Sequence, residues 1–214
     1  KQIADIDLSE YSQDNGWQPI GGENEIFTGV YNGNDHEIIN LTIDRKERFI
    51  GLFGNISSSA ILKKVILKDV DIIGKNWVGG LAGENEGKII DSSVIGDYGE
   101  VVARDTVGGL VGLNKGKIKK CSASVKVMAK STGAGGLAGD NVNGEGVIED
   151  SYAEGEVMGK AIVGGLVGFN RGEIKNSEAT GNVVGDHHVG GLVGLGGREG
   201  KVTNSDGKGR VTGK

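Results

Sequence analysis

Short runs of alternating apolar and polar residues recur along the chain. The clearest follows Ser177, where Ala179 and Val183 are separated by polar or small residues, the period of two that a β-strand requires. Equivalent positions return at matched offsets: Ile89 and Ser92; Ile118, Cys121 and Ala123; Ile148, Ser151, Ala153 and Val157; Val202, Ser205 and Val211. Ahead of each run stands a Gly-Gly-Leu segment, at Val78 to Gly83, Val107 to Gly112, Ala134 to Gly139, Val163 to Gly168 and Val189 to Gly194. A degenerate copy lies at Ile50 to Gly54. The aligned leucines, Leu52, Leu81, Leu110, Leu137, Leu166 and Leu192, are spaced by 29, 29, 27, 29 and 26 residues. A period in the high twenties marks a stacked solenoid whose units cannot bury their apolar faces alone. With 41 glycines in 214 residues, helices would be interrupted every few positions, whereas short strands joined by tight turns tolerate that density. The pattern predicts an all-β chain: a right-handed parallel β-helix of about six coils, three strands to a coil, each coil 26–29 residues long.

In-register stacking makes a second prediction, because equivalent residues then form columns. The position before the serine reads Lys64, Asp91, Lys120, Asp150, Asn176, Asn204, and a neighbouring column reads Lys119, Glu149, Lys175. Both alternate in sign, as parallel neighbours on a solvated face favour. A third column, Asn85, Asn114, Asn141 and Asn170, sits two residues beyond the glycine that closes each Gly-Gly-Leu segment and ends at Gly196. These asparagines are expected in left-handed turns, passing side-chain amide hydrogen bonds up the stack as a structural ladder. Cys121 replaces the serine of the other copies, so it is expected to be a small buried wall residue, and a lone cysteine forms no internal disulfide.

Residues 1–50 depart from the repeat. They hold Trp17, Phe27, Tyr31, Phe49 and the single proline, Pro19, with strand-like stretches from Ile3 to Leu8 and from His36 to Ile43. Large side chains suit an N-terminal cap with irregular first coils, closing the open core; residues 51–214 are then one continuous repeat domain. No signal peptide precedes Lys1 and the chain stops in mid-repeat, at Gly213-Lys214, which predicts a segment of a longer protein.

The stretch Val-Gly-Gly-Leu-Val-Gly-Phe-Asn-Arg-Gly-Glu-Ile-Lys-Asn-Ser at residues 163–177 resembles the GLUG motif of bacterial surface proteins, and the likeness recurs in five copies. The leading segments Ile3 to Leu8, Trp17 to Gly21, Phe27 to Gly29 and Asn32 to Ile38 are similar to the stretch that commonly precedes such repeats. The resemblance implies an extracellular protein, at the bacterial cell surface or secreted, adhesin-like in role. The motif also occurs beside the catalytic domain of IgA1-protease-type zinc metallopeptidases, so an accessory domain of such an enzyme is an alternative.

Candidate chemistry is sparse. Proteolysis in that family needs His-Glu-x-x-His, which places two imidazoles on one metal; here His36-Glu37 is followed by Asn40 where the second histidine would stand. A polysaccharide-active β-helix would need clustered carboxylates on one coil, and Asp97, Glu100, Arg104 and Asp105, in what reads as the longest inter-strand connection, are the candidates. His187 and His188 are the other divergent pair. Asp140, Asn141, Asn143, Glu145 and Asp150 gather oxygens around an inserted turn, but without either the EF-hand or the calcium β-roll spacing. The seven threonines form no column that could match ice. A net charge of −5 and a pI near 5.3 argue against a nucleic-acid surface, and no apolar run reaches membrane-spanning length. The expectation is therefore noncatalytic, with no metal or cofactor. The chain would be an adhesive or spacer module, binding a host or cell-surface protein or glycan through a β-face or through the loops at Asp97 to Asp105 and His187 to His188. One feature leans toward binding: Val163 and Val167 fall on one face of a Gly-Gly-Leu strand and Leu166 on the other, which would leave an apolar stripe uncovered.

Overall fold

The structure, a computed structural model, describes residues 1–142 and 144–213, and at 97 and 98 the backbone alone. Among the described residues there is no α-helix; a single 3-10 turn, Ser9–Tyr11, is the only helical element. Each repeat forms one coil. In the coil of Leu166 the chain passes through Ala161–Gly164, Val167–Asn170 and Glu173–Lys175, then through Glu178–Ala179 and Val183–Val184 on one broad side. Equivalent segments of successive coils pair in parallel and in register, as in Val78↔Val107, Ala134↔Val163↔Val189 and Ile89↔Ile118↔Ile148. The result is four sheets, numbered here in coil order: sheets 1 and 2 of six strands each, sheet 3 of seven, and sheet 4 of 13 short segments. Six repeat coils follow one irregular leading turn. That turn supplies Val30–Asn32 to sheet 3 and Glu37–Ile39 and Thr42–Asp44 to sheet 4, while Ile20 and Phe27 form single bridges to sheet 2, about seven turns in all.

Two expectations change. The Gly-Gly-Leu segment is not one strand: sheet 1 ends at Gly164, the chain bends through Gly165 and Leu166, and sheet 2 starts at Val167. A coil therefore visits four sheets rather than three, and Val163, Leu166 and Val167 are all fully buried. The apolar stripe does not exist, because the bend between the glycines turns both faces inward. The asparagine column is likewise not in left-handed turns. Each of these residues ends a sheet 2 strand, and the left-handed corner belongs to the charged column instead: Lys64, Asp91, Lys120, Asp150, Asn176 and Asn204 all have φ between 47° and 53°. A left-handed residue costs on the order of 1–2 kcal/mol unless it is glycine, asparagine or aspartate, which suits four of these six positions.

The glycines are explained by contact. A Cβ at Gly136 would clash with the carbonyl oxygen of Gly165 in the next coil and come within 2.8 Å of the Ala153 Cβ; at Gly109 it would meet Gly136 in the same way, and at Gly165 it would meet Gly191. The first glycine of each pair is held by its own coil, its missing Cβ lying against the carbonyl of the residue three further on, as Gly135 against Ala138.

Inside the bend, leucines and valines stack in columns along the core, with Leu81, Leu110, Leu137 and Leu166 all inaccessible. Truncating Leu137 to alanine should cost about 3 kcal/mol through lost burial and a cavity that stacked coils close poorly, read as a shift in a urea unfolding midpoint. At the leading turn the core is aromatic: Phe53 is fully buried, with Phe27 and Tyr31 at ring-centroid distances of 5.0 and 5.6 Å.

Two buried polar ladders run through this core. The Asn85 Nδ2 donates to Asn114 Oδ1 at 2.7 Å, Asn114 to Asn141 at 2.8 Å and Asn141 to Asn170 at 2.8 Å; Asn170 ends the series on the Lys201 carbonyl at 3.4 Å. At the next corner, beyond sheet 3, each serine hydroxyl donates to a carbonyl two residues back and accepts from the backbone N–H of the preceding coil: Val65 to Ser92, Cys121 to Ser151, Ser151 to Ser177 and Ser177 to Ser205, at 3.1–3.2 Å. Cys121 occupies one rung, its thiol turned to the Lys119 carbonyl at 3.3 Å. Burial pushes that thiol up to about 12, so it should resist a thiol reagent in the native protein and react stoichiometrically once urea unfolds it.

Candidate functional site

With glycines, asparagines and serines absorbed by the stack, candidate chemistry must lie on the outer faces. On sheet 2 the outward column is Asn55, Glu84, Leu113, Asp140, Phe169, Leu195. Its carboxylates are already held. Glu84, almost wholly buried, accepts from Asn55 Nδ2 at 3.3 Å and pairs with Lys115, which also reaches Glu86 at 3.2 Å. Burial alone would lower the Lys115 ammonium, but the two glutamates prevail and raise it. Asp140 pairs with Arg171 at 2.7 Å, and the guanidinium lies 4.9 Å from the Phe169 ring. Burial raises the Asp140 carboxyl, with Arg171 opposing. The oxygens grouped around this turn in the sequence are thus dispersed: Asp140 faces Arg171, Asn141 is in the core ladder, and Asp150 sits at the outer corner beside Asn176, at 3.2 Å; Asn143 lies outside the described residues.

On sheet 3 one step of the alternating column closes as an ion pair, Lys119 with Glu149, while Lys175 turns to Glu173 of its own coil at 2.9 Å. Glu149 takes Lys117 at 2.7 Å and Lys119 at 2.9 Å, and these hydrogen bonds hold its carboxyl down at about 2. Because the folded value lies below the ordinary carboxylate one, the contribution is complete above about pH 4.5 and is lost as pH falls from there toward 2. A Glu149→Gln variant should therefore lose less stability than the parent between those two pH values, as thermal melts across the range would show.

The residues marked out by sequence divergence fall in two places. Residues 97–103 are not a connection but the second half of strand Ser93–Ala103, which contains a bulge: four residues, 96–99, stand opposite the single Val125. Glu100 lies in register with Asp71 and Lys126, 3.7 Å from the Lys126 ammonium, and Arg104 and Asp105 pair at 3.8 Å just beyond the strand; the Asp97 side chain lies outside the described residues. His187 and His188 are exposed on the last strand of sheet 1, three coils further along. The two groups do not share a site.

A feature that the sequence reading assigned to the cap emerges on sheet 1. The residues before Ile50, Val78, Val107, Ala134, Val163 and Val189 form a column, Phe49, Trp77, Thr106, Gly133, Ile162, His188, and five of these six have φ between 49° and 75°. Backbone strain of this kind persists only where the surroundings enforce it; here it turns bulky side chains outward. Phe49 stacks on Trp77 with centroids 4.9 Å apart and planes at 20°. The Arg48 guanidinium lies 5.7 Å from the Trp77 ring and pairs with Glu23 at 3.1 Å. Beside Phe49, between residues 18–25 and 46–50, opens a cleft of about 570 Å³ lined by Glu23, Glu25, Glu47, Lys46, Arg48 and Lys75. Aligned aromatics in the pairs Phe49-Ile50 and Trp77-Val78 were the available signal.

The family model described as the GLUG motif matches residues 105–128 and 161–184. The chain carries GLUG motifs. Each match starts at a sheet 1 strand and ends in sheet 4, so one GLUG motif is one coil. Among curated proteins, Halomucin of Haloquadratum walsbyi is 34% identical over 102 residues, 44% of this chain and 1% of its own length. A proposed Gly-rich membrane protein of Evansella cellulosilytica is 38% identical over 98 residues, 43% of this chain and 11% of its own. This chain therefore spans a small part of either relative. Among solved structures, a proposed immunoglobulin A1 protease from Bacteroides ovatus superposes with a TM-score of 0.77 at 22% identity, over 99% of this chain and 76% of that one. At that identity the likeness is one of fold. Among the described residues, no helix is long and apolar enough to cross a membrane.

Proposed function

We propose that this GLUG solenoid is a noncatalytic module of a surface or secreted protein, a stiff spacer that carries an adhesive surface. The observation behind the spacer role is the continuity of the stack: four parallel sheets and two buried polar ladders run coil to coil. Extension along the axis would break all of them at one interface together. The adhesive role is supported by the half-buried Phe49 and the exposed charged residues gathered around the cleft beside sheet 1. Surface or secreted placement is supported by the relatives named above, a halomucin and a membrane protein.

Glycan and protein arrays test adhesion, and single-molecule extension tests the spacer. Saturable binding together with unfolding in discrete one-coil steps under high force is expected. Silence on both arrays would remove the adhesive half, and smooth extension at low force would remove the spacer half. Turnover of a protein or polysaccharide substrate by this chain alone would overturn the noncatalytic reading.

A further inference from the structure

We infer that the cleft beside Phe49 binds a neutral saccharide, with the ring of Phe49 as its floor. The inference rests on the adhesive half of the reading above and gives it a place and a ligand class. Trp77 covers one face of Phe49 from the neighbouring coil, and the cleft is lined by Phe49 but not by Trp77, which leaves the opposite ring face as the one a ligand in the cleft would meet. A pyranose carries a face of C–H groups that packs on an aromatic ring and a rim of hydroxyls that both donate and accept. The walls match that rim: carboxylates at Glu23, Glu25 and Glu47 accept, and Lys46, Arg48 and Lys75 donate.

The charges decide the class. Three carboxylates and three cations leave the cleft without a net sign, so a sulfated, sialylated or phosphorylated ligand would gain from one wall and be repelled by the other. A neutral polyhydroxylated ligand meets no such penalty. The volume of about 570 Å³ falls within the range of small-ligand pockets. Arg48 is already fixed between Glu23 and the Trp77 ring, so less side-chain freedom remains to be lost on binding.

The competing occupant is an extended peptide added to sheet 1, whose end strand is Arg48–Ile50. That strand is three residues long and is bent at its centre by φ 60° at Phe49. Strand addition needs a longer and flatter template.

The test is calorimetric titration with soluble neutral oligosaccharides of glucose, mannose, galactose and N-acetylglucosamine, beside sialylated and sulfated ones and an extended peptide library. At least one neutral series should bind saturably. Phe49→Gly, which keeps the left-handed backbone without strain and so preserves the fold, should weaken it at least about tenfold, while Phe49→Trp should retain it. Circular dichroism melts verify that both variants fold. No binding by any neutral series, or preference for charged glycans or peptides, would overturn the inference. Binding that is indifferent to Phe49→Gly would remove the cleft and leave adhesion elsewhere on the module standing.

Discussion

Asn114→Ala should cost roughly 2–6 kcal/mol, since it leaves two buried polar groups without partners at about 1–3 kcal/mol each. The Asn85 amide loses its acceptor at Asn114 Oδ1, and Asn141 Oδ1 loses its donor. No water can replace them without entering the core, because Asn85, Asn114 and Asn141 are all fully buried. The same truncation at the end of the ladder should be milder. Asn85→Ala orphans only Asn114 Oδ1, and Asn85 Oδ1 has no partner to lose. A difference of at least about 1 kcal/mol between the two in urea unfolding is expected. Equal costs would mean that the ladder is not a connected chain of bonds.

Gly136→Ala should be comparably damaging, at about 3 kcal/mol. The added methyl group has the Gly165 carbonyl ahead of it and Ala153 beside it, and neither can retreat without opening the hydrogen bonds between coils. Gly196 is the control. It ends the last strand of sheet 2, Val193–Gly196, with open space where a Cβ would go, so alanine there should be nearly neutral. A tolerant Gly136 would show that the repeated glycines serve flexibility rather than close approach.

The period of the leucines and the strand periodicity after the serines carried the architecture, because both arise from in-register stacking, which forces equivalent residues into shared environments. The position of Cys121 among serines was legible for the same reason: a residue between Ser92 and Ser151 in register inherits their buried corner. The bend inside Gly-Gly-Leu was not legible. Period two assumes an unbroken strand, and a turn between Gly164 and Val167 resets the phase, so Val163, Leu166 and Val167 can all face inward. The left-handed corners were hidden by residue type, since Lys64, Lys120, Trp77 and Ile162 carry no preference for positive φ. The candidate cleft was missed because Phe49 was read with the cap, when its column partner is Trp77, 28 residues on.

The central claim, that one GLUG motif is one interchangeable coil, is tested most directly by deleting a single period. Removal of residues 107–133 joins Thr106 to Ala134, one coil to the equivalent point of the next. The shortened protein should keep a strand-dominated circular dichroism spectrum and a cooperative urea transition, with an m-value reduced by roughly one coil's share of buried surface. Removal of only residues 107–119 should abolish the transition, because it shifts every later column out of register. A tolerated half-coil deletion, or a whole-coil deletion that unfolds the chain, would contradict the account.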